Sequence, residues 1–208
     1  MAVWNSSWLK FRSVQVAGNR HTPAAEIIGV AALVPGTRLT DISSSAVARR
    51  VEALPWVATA SVSHVLPSRI RIVVTERRPA VVVIGPVRAY LVDRTGRVLS
   101  AGNTGYPAVN QLDIGAPLPG TTVTSTAFAP AVAVLGALPQ DLRSRLASIQ
   151  APAADLISIL LTDHTRIVYG DAHALADKNA DVTALLATGQ SFASIDVQAP
   201  AHPAAVPH

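Results

Sequence analysis

Residues 52–82, EALPWVATASVSHVLPSRIRIVVTERRPAVV, decide the fold of the first half of this 208-residue chain. Leu54-Pro55 ends a helix, because proline cannot continue one. Val57 to Val65 reads as a strand, and after the turn Leu66-Pro67-Ser68 a second strand runs from Arg69 to Thr75. Ile70, Ile72 and Val74 alternate with Arg69, Arg71 and Thr75, the period-2 pattern of a strand with one buried and one wet face. Glu76-Arg77-Arg78-Pro79 closes the run. Its proline removes an N–H and holds the preceding residue extended, so these four residues are expected to form an interdomain joint, with Glu76 and an adjacent arginine as a candidate pair.

Upstream, Arg12 to Ala17 is a short alternating strand ended by Gly18-Asn19. Thr22 as a hydroxyl N-cap and Pro23 at the first helical position open a helix to about Leu33, which Pro35-Gly36 stops. A second helix, Ser43 to Leu54, places Val47, Val51 and Leu54 at i, i+4 and i+7, with Arg49, Arg50 and Glu52 on its wet side. The order is β-α-α-β-β, with two helices covering one face of a three-stranded sheet.

Downstream, short apolar segments are divided by Gly, Pro and Asp. Strands are expected at 80–84, 88–93 and 97–100, the latter two joined by the Asp-x-x-Gly hairpin signal Asp93 to Gly96. A long loop over 101–125 holds one short strand near 109–114, and a helix follows over 125–138, with Pro130 a candidate bend. Strands at 146–150, 156–162 and 166–169, a helix over 171–187 and a last strand from Phe192 to Val197 complete the domain. The tail 199–208 contains three prolines and is expected to be disordered.

Composition narrows the function. Half the residues are apolar and 14% are charged, which excludes a disordered chain. Seventeen Lys and Arg against thirteen Asp and Glu give +4, too small and too scattered for a charge-driven nucleic-acid binder. The strands at 57–65 and 69–75 lack the aromatic residues on which bases stack, apart from Trp56 at the edge. With no cysteine there is no disulfide framework, thiolate metal site or cysteine nucleophile. The six histidines have no metal spacing, and no nucleophile elbow, Walker loop or Gly-x-Gly-x-x-Gly occurs. The longest apolar stretches, 80–87 and 127–138, are too short to span a bilayer. The expectation is a binding module without cofactor or metal, and not an enzyme.

VQVAGNRHTPAAEI (14–27), VARRVEALPWVATASVSHVLPSRIRIVVTERRP (47–79), YLVDRTGRVL (90–99), RIVYGD (166–171) followed by Lys178, and IDVQAP (195–200) carry a resemblance to the bacterial FtsQ/DivIB cell-division family. It implies an α+β chain: an N-terminal β-α-α-β-β POTRA domain at 11–78, then a mixed and antiparallel β-domain with two helices at 79–198, before the tail at 199–208. Members carry one transmembrane helix just before the POTRA domain. The resemblance therefore implies a single-pass protein of the cell membrane, enriched at the division septum, with this region extracytoplasmic. Residues 1–10 then read as a juxtamembrane remnant, in which Trp4, Trp8 and Leu9 either lie at the membrane interface or staple the first strand to the core.

The resemblance also implies a non-catalytic divisome scaffold. Its partners are FtsB-like and FtsL-like single-pass proteins, with further divisome proteins reached through the POTRA domain and no nucleic acid. The binding site carried over is the last strand, where Phe192 leads into Ile195 and Val197 on one face and Ser194 and Asp196 on the other, so that a partner segment adds to its edge. Gln198-Ala199-Pro200 stands where better-known members have an aromatic residue, so an aromatic anchor does not transfer. The alternative is a POTRA-type translocation or outer-membrane assembly component that holds clients by the same β-augmentation. Only one β-α-α-β-β unit is present and no barrel follows it, which counts against that reading.

Overall fold

The computed structural model describes residues 10–103 and 105–207. The chain divides into two compact units between Arg77 and Arg78.

The first unit contains β1 (Ser13–Ala17), α1 (Ala24–Ala31), a 3-10 turn (Leu39–Asp41), α2 (Ser44–Glu52), β2 (Val57–Val65) and β3 (Arg69–Glu76). Its sheet has the order β1-β3-β2, with β1 parallel and β2 antiparallel to the central β3. Ile70, Ile72 and Val74 of β3 are buried with Ile27 of α1 and Val47 and Val51 of α2, while Arg69, Arg71 and Thr75 point away from this core. The alternation read from the sequence is thus the alternation that builds the domain.

Two local details differ from the sequence expectation, and a third adds to it. Pro23, not Thr22, occupies the N-cap position of α1; the Thr22 hydroxyl is buried without a hydrogen-bond partner, and its N–H is taken by Glu76. Helix α1 ends at Ala31, where Ala32 turns left-handed and closes the last turn onto the Gly29 carbonyl. Arg50 is exposed, on the wet side of α2 as expected, but it is not idle there. Its Nε and Nη2 donate to the Ala31 carbonyl at 3.2 and 2.6 Å, tying α2 to the end of α1 where free carbonyls favour a cation. Ser43 caps α2 by accepting the Ala46 N–H.

The second unit is a nine-stranded sheet in the order β12-β11-β10-β9-β8-β7-β4-β5-β6. Its strands are β4 (Pro79–Ile84), β5 (Ala89–Asp93), β6 (Val98–Ala101), β7 (Ala108–Asn110), β8 (Leu146–Gln150), β9 (Ile157–Leu161), β10 (Arg166–Gly170), β11 (Phe192–Asp196) and β12 (Ala204–Pro207). β7 is parallel to both β4 and β8, and β11 is parallel to β10; the remaining neighbours are antiparallel. The helices are α3 (Phe128–Ala137), α4 (Gln140–Ser144) and α5 (Leu175–Leu186), the last crossing over from β10 to β11. The core runs from Val81, Val83 and Val92 through Phe128 and Val134 of α3 to Ile159, Ile167, Val182 and Ile195.

The mixed α+β architecture is the expected one, with α4 an additional short helix. Pro130 does not bend α3. It lies in the first turn, where its missing N–H interrupts no helical bond. The Asp93 turn forms as the sequence predicts: Oδ1 accepts the N–H groups of Thr95 and Arg97 and the Thr95 hydroxyl.

The tail requires a correction. Residues 204–207 are not disordered but form β12, paired antiparallel to β11 with Ala204 opposite Asp196, Ala205 opposite Ile195 and Val206 opposite Ser194. Pro203 and Pro207 flank Ala204-Ala205-Val206, so these three residues keep their donors, and proline at an edge strand removes nothing an outer neighbour already uses.

A candidate partner-binding edge

The five residues expected to take a partner strand lie on or just after β11. Phe192, Ile195 and Val197 are buried in the core of the second unit, while Ser194 and Asp196 are half-buried. β11 is not an edge. It pairs with β10 on one side and β12 on the other, and just past its end the Val197 N–H donates to the Val168 carbonyl. A backbone already bonded on both sides cannot accept a further strand, so the edge at this end of the sheet is β12. The sequence signal for β12 was weak, since three small or β-branched residues between prolines resemble a linker.

The two ends of the sheet differ. At the β6 end the chain partly covers its own edge: Val98 donates to the Thr121 carbonyl and accepts the Gly120 N–H, and Arg97 bridges Thr122. At the β12 end Ala204, Val206 and Pro207 are exposed, and no described strand lies beyond.

Several contacts fix β12 in place. The Ala201 N–H, in a turn residue with φ of 64°, donates to Asp181 Oδ2 of α5 at 3.0 Å. Gln198, at the position that carries an aromatic residue in the resembled family, donates through its backbone N and Nε2 to Asp196, both at 2.9 Å. Its side chain lies over Gly170, where an added Cβ would come within 2.8 Å of the Gln198 Cγ, so the absence of a side chain at Gly170 makes room for the turn.

Beneath the edge, a buried polar network joins β10 to α5. The Lys178 side chain is only 2% exposed, and its Nζ donates to the Tyr169 carbonyl at 2.9 Å, the Asp171 carbonyl at 3.2 Å and Asp171 Oδ1 at 2.8 Å. The Lys178 bond, with the His173 N–H and ring, holds the Asp171 carboxyl well below the usual carboxylate range. The Tyr169 hydroxyl, pushed up by burial, donates to Asn179 Oδ1 at 2.7 Å, and Asn179 Nδ2 donates to the Ala137 carbonyl at the end of α3. RIVYGD with Lys178 is therefore a structural clamp that orients β10, and β11 and β12 through it.

Glu76 does not function as a simple surface charge. Its carboxylate accepts the N–H groups of Arg20, His21 and Thr22 at 2.8–3.0 Å, all within the first unit. Burial pushes this carboxyl up, but the amide bonds from Thr22, Arg20 and His21 and the His21 side chain outweigh burial and hold its pKa at about 2. Arg77 donates its backbone N–H to Trp56 O and its Nε to Val57 O, while Arg78 and Pro79 belong to the second unit. Of residues 1–10, Lys10 bridges Arg38; Trp4, Trp8 and Leu9 lie outside the described residues.

Among the described residues no group of three His, Asp or Glu side chains is placed to hold a metal ion, and no helix is long and apolar enough to cross a membrane.

Comparison with known proteins agrees with this architecture. Residues 9–77 match the POTRA domain, FtsQ-type, and residues 80–198 match the cell division protein FtsQ/DivIB, C-terminal; β12 lies beyond the second match. The chain is 34% identical over 189 residues to the cell division protein FtsQ of Mycolicibacterium smegmatis, covering 91% of this chain and 55% of that protein. It is 32% identical to FtsQ of Mycobacteroides abscessus over 92% of this chain and 60% of that protein. Against FtsQ of Streptomyces bingchenggensis it is 29% identical, over 97% of this chain and 78% of that protein. The chain thus spans little more than half the length of the two mycobacterial relatives. A FtsQ-type POTRA unit followed by the sheet of the FtsQ/DivIB C-terminal domain makes this chain a member of the FtsQ/DivIB cell-division protein family.

Proposed function

We propose that this chain is the extracytoplasmic part of a single-pass, non-catalytic divisome scaffold at the division septum, and that it recruits FtsB-like and FtsL-like single-pass proteins. The observation that carries the reading is the asymmetry of the large sheet, closed in part at β6 and open at β12. An open edge presents alternate N–H and C=O groups, so a partner strand gains affinity from the backbone and specificity from exposed side chains such as Val206. Phe192, Ser194, Ile195, Asp196 and Val197 then act as the platform under β12 and not as the strand that is augmented. The family membership supports the division role, and the sheet edge supports the manner of binding.

The test is a titration of the chain with the extracytoplasmic segments of its cognate FtsB-like and FtsL-like proteins, beside single proline substitutions at Ala204, Ala205 and Val206. An inward-facing N–H is needed by β11, whereas an outward-facing one is free for a partner. At least one variant is expected to stay folded and to weaken binding about tenfold or more, as an outward donor is lost and the ring obstructs pairing. Undiminished binding by every folded variant would remove β12 as the site, and no binding by the native chain would remove the scaffold reading.

A further inference from the structure

The end of the first unit away from Arg77 has a chemistry that partner binding at β12 leaves unused. β1 and β3 run parallel and begin side by side, Ser13 opposite Arg69, and the Arg12 N–H donates to the Ser68 carbonyl in the β2–β3 turn at 2.8 Å. Phe11 donates to the Thr37 carbonyl and accepts the Gly36 N–H, which brings the loop after α1 to the same place. Three segments, 10–15, 33–38 and 64–72, therefore meet at one end.

Their charge is positive, with Asp41 of the following 3-10 turn as a neighbouring acid beside Val34 and Thr37. They contain Lys10, Arg12, Arg38, Arg69 and Arg71 and no Asp or Glu, a formal +5; the whole chain is +4, so all its other residues together are −1. Apolar side chains protrude from the same end: Leu66 at the hairpin tip is 72% exposed, Val34 67% and Val65 37%. Val65 and Leu66 directly precede the Arg69 strand, so the protruding tip and the cations are one feature.

We infer that this end of the POTRA domain rests on an anionic lipid bilayer, with Leu66 inserted at the level of the headgroups and Arg12, Arg69 and Arg71 on their phosphates. A protruding leucine at the same end as several cations suits a soft interface that apolar groups enter and phosphates line. A folded acidic protein would satisfy the charge but would need a cavity for the tip. Continuity with the preceding sequence supports the bilayer, because the nine residues joined to Lys10 at this end include Trp4 and Trp8, the residue type that favours membrane interfaces. The chain leaves for the second unit from the opposite end of β3. The inference rests on the membrane-anchored reading proposed above only for placing the domain near a bilayer.

The chain has no cysteine, so Leu66→Cys gives a unique position for an environment-sensitive fluorophore, and Thr59→Cys gives a control near the other end of β2. Each labelled protein is mixed with vesicles of phosphatidylcholine alone or with phosphatidylglycerol added. A blue shift is expected for the label at 66 with anionic vesicles only, and none at 59. In co-sedimentation with the same vesicles, Arg69→Gln and Arg71→Gln are each expected to lower the partition coefficient about fivefold, with added salt weakening binding further. Leu66→Ser is expected to lower it several-fold. No binding to anionic vesicles, equal binding to both kinds, an equal shift at 59 and 66, or binding unchanged by the three substitutions would each overturn the inference. The same variants are expected to bind partner segments normally, so failure here and failure of the β12 reading are distinguishable.

Discussion

The imidazole of His21 lies flat on the indole of Trp56, ring centroids 4.1 Å apart and planes within 11°. The His21 Nδ1 is also 2.8 Å from Glu76 Oε2. One aromatic stack and one carboxylate thus fix the loop between β1 and α1 against the start of β2 and the end of β3.

That arrangement makes the stability of the first unit depend on pH in a defined direction. Glu76 titrates near 2 in the folded chain against an ordinary value of 4.5, so its contribution is present above about pH 4.5 and is lost as pH falls towards 2. The shift corresponds to about 3 kcal/mol. Urea denaturation of native protein and Glu76→Gln between neutral and acid pH is expected to show a difference that narrows through this window. A difference independent of pH would show that the anionic carboxylate is not what holds the loop.

Gly18 has φ of 87°, and a Cβ there would lie 2.0 Å from the Val74 carbonyl oxygen. Gly18→Ala combines a disfavoured backbone conformation with a clash against main chain that cannot rotate away. We expect a loss of about 2–4 kcal/mol, read as a lower denaturation midpoint for the first unit. Gly36→Ala, where φ is also positive but nothing crowds the Cβ, is expected to cost less.

Lys178→Met keeps the length of the side chain but leaves the Tyr169 and Asp171 carbonyls without its donor. The expected cost is about 1–3 kcal/mol, measured by chemical denaturation of the second unit. Hydrogen exchange should rise along β10 and β11, because the clamp joins β10 to the helix that leads into β11. An unchanged exchange pattern would separate the network from the edge it underlies.

Asp181→Ala removes the acceptor for the Ala201 N–H without touching the core. Exchange of the β12 amides is expected to rise about fivefold, from one lost charge-assisted bond, while global stability changes little. Partner affinity should fall in parallel if an ordered β12 is the docking strand.

What the sequence disclosed follows from where the physics is local. Alternation in Arg69 to Thr75 and the 3.6 period of Val47, Val51 and Leu54 state which faces are buried, and the first unit follows from them. The Asp93 turn was legible because a single side chain closes it. The open edge was not, because whether β11 is an edge depends on a strand of four residues formed from a proline-rich tail. The destinations of Glu76 and Arg50 were equally hidden, since their partners lie 54 to 56 and 19 positions away. Like-looking charged residues on paper become a loop anchor and a helix cap only after the chain has closed on itself.

The partial covering of β6 by residues 120–122 also governs how copies of this protein can associate. A sheet open at both ends could join head to tail without limit, as fibres do. With one end obstructed, addition is favoured at β12, and a second copy related by a two-fold axis would use up that edge in both copies. A two-fold pairing of that kind would close on itself, since the other end of each sheet is its partly covered β6.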